Sequence, residues 1–192
     1  TMHLTVLFII IGLAILFDFL NGFHDAANSI ATVVTTKVLT PLQAVIWAAF
    51  FNFVAFFIAK FIIGEFGVAD TIAKIIKEDI VVAFGANPSI VVIAALSAAI
   101  TWNLLTWKLG IPSSSSHTLI GGLAGGALAA TGYNFTAINS SIILTIIAFI
   151  LVAPIIGLLA GNIIYIITLN LCRKIKPHKA DSWFKRLQLV SS

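Results

Sequence analysis

Residues 141–172 read SIILTIIAFILVAPIIGLLAGNIIYIITLNLC, a run that contains no charged side chain. About 20 consecutive apolar residues are enough for a helix to cross the hydrocarbon core of a bilayer. The stretch therefore predicts a transmembrane helix over Ser141–Cys172. Other stretches of the same character predict further spans at His3–Phe23, Pro41–Gly64 and Pro88–Gly110.

The composition of the whole chain agrees with this interpretation. Hydrophobic residues make up 60% of the sequence and charged residues only 9%, whereas a soluble domain carries about 25% charged residues. So few polar side chains could not cover the surface of a soluble domain of this length. We therefore predict an all-α integral membrane protein, a helix bundle that crosses the cell membrane several times.

The positive charges are concentrated near the end of the sequence. Of the 11 Lys and Arg residues, six lie between Arg173 and Arg186, where the only acidic residue is Asp181. Basic residues beside a span mark its cytoplasmic side. The sequence lacks the long basic face with interleaved aromatic residues that would indicate nucleic-acid binding. We predict a transmembrane domain at residues 1–172, followed by a basic cytoplasmic linker and the start of a further helix at residues 173–192.

Two segments between the strong spans are unsuited to a simple lipid-facing helix. Asp25–Thr40 continues from the first span but carries Asn, Thr and Lys side chains, and Ser113–Gly132 is apolar but short. The second segment opens with serines and is rich in glycine, at Gly121, Gly122, Gly125 and Gly126. Such segments are tolerated at membrane depth when they pack inside protein, so we predict broken or re-entrant helices here.

The first polar cluster lies in the sequence NGFHDAAN at residues 21–28. It belongs to a set of residues spaced three or four apart, which share one face of a helix: Asp18, Asn21, Asp25, Asn28 and Thr32. Carboxylate, amide and hydroxyl oxygens are ligands for hard cations such as Na⁺. We predict a cation site at Asp25 and Asn28, with Asn21 as a further sodium ligand. The alternative is that these side chains only bond neighbouring helices.

The second polar cluster is GIPSSSSHT at residues 110–118, before the glycine-rich segment. Pro112 and the serines predict the start of a helix, because serine oxygens cap free backbone N–H groups. A positive helix end with several hydroxyl donors favours a bound oxyanion, although an ordinary capped helix has the same signals. His117 beside Ser116 does not indicate catalysis, because adjacent side chains rarely meet and no G-x-S-x-G elbow is present. We therefore predict that the chain is not an enzyme.

The two clusters together constrain the chemistry. An ionised Asp25 near a bound oxyanion would repel it strongly in a medium of low dielectric constant. The pair is tolerable if Asp25 is protonated or if a cation lies between them. Either condition couples binding of the anion to H⁺ or Na⁺, which predicts a symporter.

Both clusters also resemble known sequences. The stretches NGFHDAANSIATVVTT (21–36), Trp102-Asn103 and GIPSSSSHTLIG (110–121) are similar to the signature of the inorganic phosphate transporter (PiT) family. This resemblance implies two inverted repeats, each with one acidic motif and one serine-rich re-entrant hairpin. It also implies uptake of inorganic phosphate driven by Na⁺ or H⁺, with no cofactor besides the coupling ion.

The resemblance implies roles for individual residues. Asp25 and Asn28 would hold the cation and face the phosphate. Hydroxyl groups would donate to the phosphate oxygens from Ser114, Ser115, Ser116 and Thr118. Because the sequence holds one copy of each motif, we interpret it as the N-terminal half of a transporter. We expect lipid and the second repeat half as partners, allow for a homodimer, and expect no nucleic acid.

Two other functions fit the sequence. The chain could carry sulfate or another tetrahedral oxyanion, because helix-end donors alone do not distinguish these anions. It could also be a channel-like or assembly subunit whose polar stripe holds helices together. Saturable, cation-dependent uptake would favour the carrier, and uptake that never saturates would favour the channel.

Overall fold

The structure, a computed structural model, describes residues 4–64, 67–173 and 175–191, without the side chains at positions 27, 28, 63, 67–69 and 177. These residues form eight α-helices: α1 (Leu4–Thr35), α2 (Pro41–Ile58), α3 (Gly67–Ala73), α4 (Glu78–Ala83), α5 (Pro88–Leu109), α6 (Ser115–Ala130), α7 (Ser140–Cys172) and α8 (Pro177–Ser191). A π-helical turn, Ala59–Ile63, continues α2, and a short 3-10 turn covers Phe135–Ala137. Within the described ranges, the extended pairing is limited to one isolated bridge between Ile76 and Ile138.

Four of the helices are long and apolar enough to cross a membrane, namely α1, α2 with its π-helical turn, α5 and α7. The prediction of an all-α membrane protein is therefore confirmed. Helix α7 is described in full, and none of its residues is buried. Large aliphatic and aromatic side chains cover its exposed surface. A surface of this kind suits hydrocarbon, because apolar area in contact with water is unfavourable.

The ends of the membrane helices follow local sequence signals. Helix α2 starts at a capping box, in which the Thr40 side chain accepts from the backbone of Gln43 and the Gln43 side chain accepts from the backbone of Thr40. Helix α5 starts after Asn87, whose side chain accepts from the Ser89 N–H, and it ends at Gly110 in the left-handed conformation (φ 65°). These caps satisfy backbone groups that a helix end leaves free.

The sequence predicts a broken or re-entrant helix over Asp25–Thr40, and this prediction is wrong. Helix α1 is continuous to Thr35. Its polar side chains bond within the helix: the Ser29 hydroxyl donates to the Ala26 carbonyl at 3.1 Å, and the Thr35 hydroxyl donates to the Ala31 carbonyl at 2.8 Å. Hydroxyl groups satisfied in this way do not interrupt a helix. At 32 residues, α1 is about 48 Å long, which exceeds a hydrocarbon core of about 30 Å.

The residues divide into two compact units. The first unit consists of Thr1–Asp25 and Glu65–Ile143, and the second of Ala26–Gly64 and Leu144–Ser192. The division predicted from sequence, at residues 1–172 and 173–192, stays a prediction.

The first unit is organised around a hairpin of α5 and α6. The two helices run antiparallel, because Gly122 packs on Ala95 and Gly126 packs on Val91. A Cβ atom added at Gly122 would lie only 2.8 Å from the Ala95 carbonyl oxygen, so the backbones approach closely here. The hairpin also contributes to a buried apolar cluster of Val81, Val91, Ala127 and Ala137. The predicted short segment Ser113–Gly132 is thus a short helix packed along its length on a neighbour.

Candidate functional site

The start of helix α6 carries the serine cluster predicted from sequence. Ser114 is the N-cap, and its Oγ accepts from the His117 N–H at 3.4 Å. The Thr118 hydroxyl donates to the Ser114 carbonyl oxygen at 2.8 Å. The single hydroxyl hydrogen of Thr118 is therefore used within the helix, which leaves its oxygen as an acceptor. Ser116 is exposed at the same helix end.

Ser115 connects this helix end to the acidic motif. Its hydroxyl donates a hydrogen bond to the side-chain oxygen of Asn21, which lies 94 positions away in the sequence. Both residues are half-buried and belong to the first unit. The structure thus brings together two residues that the sequence assigned to separate sites, one to the cation and one to the anion.

Asp25 follows Asn21 by one turn of α1 and is exposed. Residues four apart on a helix are neighbours, with Cβ atoms about 5–6 Å apart, so the Asp25 carboxylate lies close to the junction of Asn21 and Ser115. The described part of the chain supplies this carboxylate with no hydrogen-bond donor or ion-pair partner. Asn28, the other predicted cation ligand, lies in the same helix, but its side chain is outside the described residues.

Aromatic rings hold α1 against the end of α5 beside this junction. The ring of Phe23 meets the ring of Trp107 edge-on, with centroids 5.8 Å apart and an interplanar angle of 69°. Edge-to-face pairs of this geometry are favourable. The next residue, His24, has a buried Nε2 atom that finds no partner among the described residues. The Phe23 contact fixes the turn of α1 that carries Asn21 and Asp25.

Asn103 is a buried polar residue that the predicted site residues do not include. Its exposed fraction is 1%, and neither Oδ1 nor Nδ2 has a hydrogen-bond partner in the described parts of the chain. An unsatisfied buried polar group costs about 1–3 kcal/mol, so an amide with two such atoms is a candidate for binding a ligand. The sequence signal that points to it is the pair Trp102-Asn103, one of the stretches that resemble the family signature.

The packing register places Asn103 at the α6 start. Each step of four residues along α5, from Val91 to Ala95, is matched by four residues back along α6, from Gly126 to Gly122. Two further steps lead from Ala95 to Asn103 and from Gly122 to Ser114. The buried amide of Asn103, which has no partner in the described part of the chain, therefore lies level with the N-cap of α6.

A shallow groove follows the same two helices away from this end. It has a volume of about 320 Å³ and is lined by Ala98, Trp102, Thr118, Gly121 and Gly122. Gly121 faces open space, whereas Gly122 faces the α5 backbone. Gly126 likewise faces α5, where an added Cβ would contact Val91, whereas at Gly125 it would meet nothing within 4 Å.

These elements combine an anion-binding and a cation-binding chemistry at one place. A helix N-terminus offers free N–H groups and a partial positive charge to an anion. The amide of Asn103 adds one donor group and one acceptor. The carboxylate of Asp25 and the oxygen of Asn21 are hard ligands of the kind that bind Na⁺. Neutralisation of Asp25 would favour an anion at the helix end.

Comparisons with known proteins identify relatives of the chain. Residues 21–190 match the model of the phosphate transporter family. The chain is 45% identical over 189 residues to the "Probable low-affinity inorganic phosphate transporter" of Bacillus subtilis (strain 168), and the match covers 98% of the chain and 53% of that protein. A protein of the same name from Rhizobium meliloti (strain 1021) is 47% identical over 185 residues, covering 95% of the chain and 51% of the relative.

A shorter relative is matched over most of its length. The protein of that name from Streptomyces halstedii is 38% identical over 194 residues, which cover 100% of the chain and 84% of the relative. The chain spans about half the length of the Bacillus and Rhizobium proteins. No solved structure matches the chain at a significant level.

Proposed function

Because this chain belongs to the phosphate transporter family, we propose that it forms half of a carrier that moves inorganic phosphate across the cell membrane together with Na⁺ or H⁺. The chain itself is a multi-pass membrane protein and not an enzyme. The proposal also covers the coupling ion, the residues that bind phosphate, and the contribution of a second half of the carrier.

The hydrogen bond from Ser115 to Asn21 is the observation that carries the proposal. It holds the start of α6, where an oxyanion is favoured, next to the turn of α1 that carries Asp25. A phosphate anion at this helix end would face a carboxylate of the same sign of charge, and the repulsion is strong away from water. A cation or proton on Asp25 removes that repulsion, so that each ligand favours binding of the other.

The phosphate ligands follow from the donors at this place. Ser114 and Ser116 offer hydroxyl groups at the helix start, and Asn103 adds an amide whose atoms have no partner in the described part of the protein. The Ser115 hydroxyl would donate to phosphate by exchanging its hydrogen bond to Asn21 for one to the anion. Thr118 contributes an oxygen acceptor, because its hydrogen is donated to Ser114. The cation is assigned to Asp25 with Asn21 and, from the sequence, Asn28.

The remaining ligands are assigned to the rest of the protein. The chain spans about half of the Bacillus and Rhizobium relatives, and one copy of each motif is present in it. A phosphate bound only at the α6 start would be open on its other sides. A second repeat half, carrying its own acidic and serine motifs, would close the site and make alternating access feasible.

The test is uptake of radiolabelled phosphate by proteoliposomes that contain the full-length protein. One set of vesicles carries an inward Na⁺ gradient, a second carries a pH gradient, and a third carries neither. We expect saturable uptake driven by one gradient and inhibited weakly by sulfate. Equal uptake in all three sets would contradict coupling, and sulfate uptake as strong as phosphate uptake would contradict the substrate.

A further inference from the structure

Helix α8 carries an apolar stripe that is open to the surroundings. Its members recur at intervals of three and four residues, so they share one side of the helix. Their exposed fractions are 67% for Trp183, 44% for Phe184, 58% for Leu187 and 86% for Val190. This helix begins soon after Cys172, the last residue of the long apolar helix α7. The stripe therefore lies close to one end of a predicted membrane span.

A basic cleft adjoins this stripe. One side of α8 carries Lys179 and the residues three, four and seven positions after it, namely Ser182, Trp183 and Arg186. Together with Ile175 and His178 they line a cleft of about 560 Å³. Lys179 and Arg186 are seven residues apart, or about 10 Å along the helix axis, so a positive charge stands at either end of the cleft.

The remaining side of α8 is engaged differently. Lys185 forms an ion pair with Asp181 at 3.0 Å. On the same side of α8, seven residues after Asp181, the Gln188 side-chain oxygen accepts a hydrogen bond at 3.0 Å from the Thr36 hydroxyl, within the second unit. Lys179 and Arg186 have no acidic partner in the described part of the chain. Among the described residues, the positive charge of the cleft is therefore not neutralised by an ion pair.

We propose that this cleft binds the headgroup of an anionic phospholipid, with α8 lying along the membrane interface. Charge complementarity identifies the occupant, because two unpaired cations beside an apolar stripe fit an acidic headgroup attached to acyl chains. Trp183 borders both surfaces and occupies the position that tryptophan favours at the headgroup level. The proposal does not depend on transport of phosphate, since it concerns a different surface in the second unit.

The experiment is native mass spectrometry of the full-length protein in detergent, titrated with dioctanoyl phosphatidylglycerol or dioctanoyl phosphatidylcholine. We expect phosphatidylglycerol to bind more tightly. Lys179→Gln and Arg186→Gln should each weaken its binding about fivefold, the effect expected of one basic residue near an anionic surface. Lys185→Gln is the matched control, because it removes the same charge from the same helix but from the ion-paired side.

Three results would overturn the proposal. They are equal affinity for the two lipids, equal loss of binding with Lys185→Gln, and displacement of phosphatidylglycerol by inorganic phosphate at the same concentration. If a cleft variant does not fold, the salt dependence of the unmodified protein decides. Binding of phosphatidylglycerol should weaken as salt screens the cations, and binding that does not change with salt contradicts the assignment.

Discussion

The Ser115 hydroxyl donates a hydrogen bond to the side-chain oxygen of Asn21, and this contact joins the start of α6 to α1 in the first unit. Both residues are half-buried, so the bond is partly protected from competing water. It gives Asn21, which we propose for the cation, and Ser115, which we propose for the anion, a common contact. A change in the side chain of either residue can therefore alter the position of the other side chain.

The first prediction concerns this bond. Ser115→Ala removes the hydroxyl that donates to the Asn21 oxygen. A typical hydrogen bond of this kind stabilises a protein by about 1 kcal/mol. We expect the KM for phosphate to rise by roughly fivefold to tenfold, while the concentration of cation that gives half-maximal uptake changes little. Ser97→Ala, at an exposed position of α5, is the control for loss of a serine. A KM unchanged by Ser115→Ala would remove this residue from the phosphate site.

The second prediction concerns the carboxylate of Asp25. Asp25→Asn keeps the size of the side chain but removes the charge that a coupling cation or proton would neutralise. We expect uptake in proteoliposomes to lose its dependence on the ion gradient. Asp18→Asn changes another exposed acid of α1 and should leave the dependence intact. Gradient-driven uptake at the unmodified level in the Asp25 variant would show that coupling arises elsewhere.

The third prediction separates stability from function at Asn103. Asn103→Leu replaces an unsatisfied buried amide by an apolar group of similar size, which removes a cost of about 1–3 kcal/mol. We expect the midpoint of thermal unfolding in detergent to stay the same or rise, while phosphate uptake falls at least tenfold.

Thr106→Val is the matched control for Asn103. Thr106 is also buried on α5, but its hydroxyl donates to the Trp102 carbonyl at 2.9 Å. Its replacement should change uptake little. If Asn103→Leu keeps full uptake, or if it unfolds at a much lower temperature, the amide has a structural role instead.

The fourth prediction uses two adjacent glycines. An alanine Cβ at Gly122 would lie 2.8 Å from the Ala95 carbonyl oxygen, whereas at Gly121 it would meet nothing within 4 Å. Gly122→Ala must push the helices apart and should destabilise the protein by about 1–3 kcal/mol. Gly121→Ala should be neutral or stabilising by about 0.5–1 kcal/mol, because alanine favours a helix interior. Thermal unfolding of the two variants measures the difference, and equal midpoints would contradict the α5–α6 packing.

The membrane helices could be predicted because their signals are local. The bounds of α5 agree with the sequence prediction to within a residue, since Asn87 and Gly110 cap its ends and the residues between them are apolar. The predicted break after Phe23 is wrong for a local reason as well. Polar residues do not interrupt this helix, because the hydroxyl groups of Ser29 and Thr35 bond to the backbone of their own helix.

The connections within the candidate site could not be predicted in the same way. The sequence places Asn21 and Ser115 in two motifs, and only tertiary packing brings their side chains together. The burial of Asn103 likewise depends on the register between α5 and α6, which follows from Gly122 and Gly126 packing on the α5 backbone. Patterns along one helix identify its faces, but they do not identify the partner of each face.

The hydrogen bond from Thr118 to the Ser114 carbonyl has a consequence for the choice between tetrahedral anions. Because that hydroxyl hydrogen is already donated, Thr118 offers a bound ligand only lone pairs, and the Asn103 oxygen does the same. At neutral pH phosphate retains a hydrogen that it can donate to such acceptors, whereas sulfate has none. A site that presents acceptors as well as donors leaves an acceptor unpaired when it holds sulfate, which is a strong basis for rejection. We therefore expect the proposed site to select its anion by protonation state.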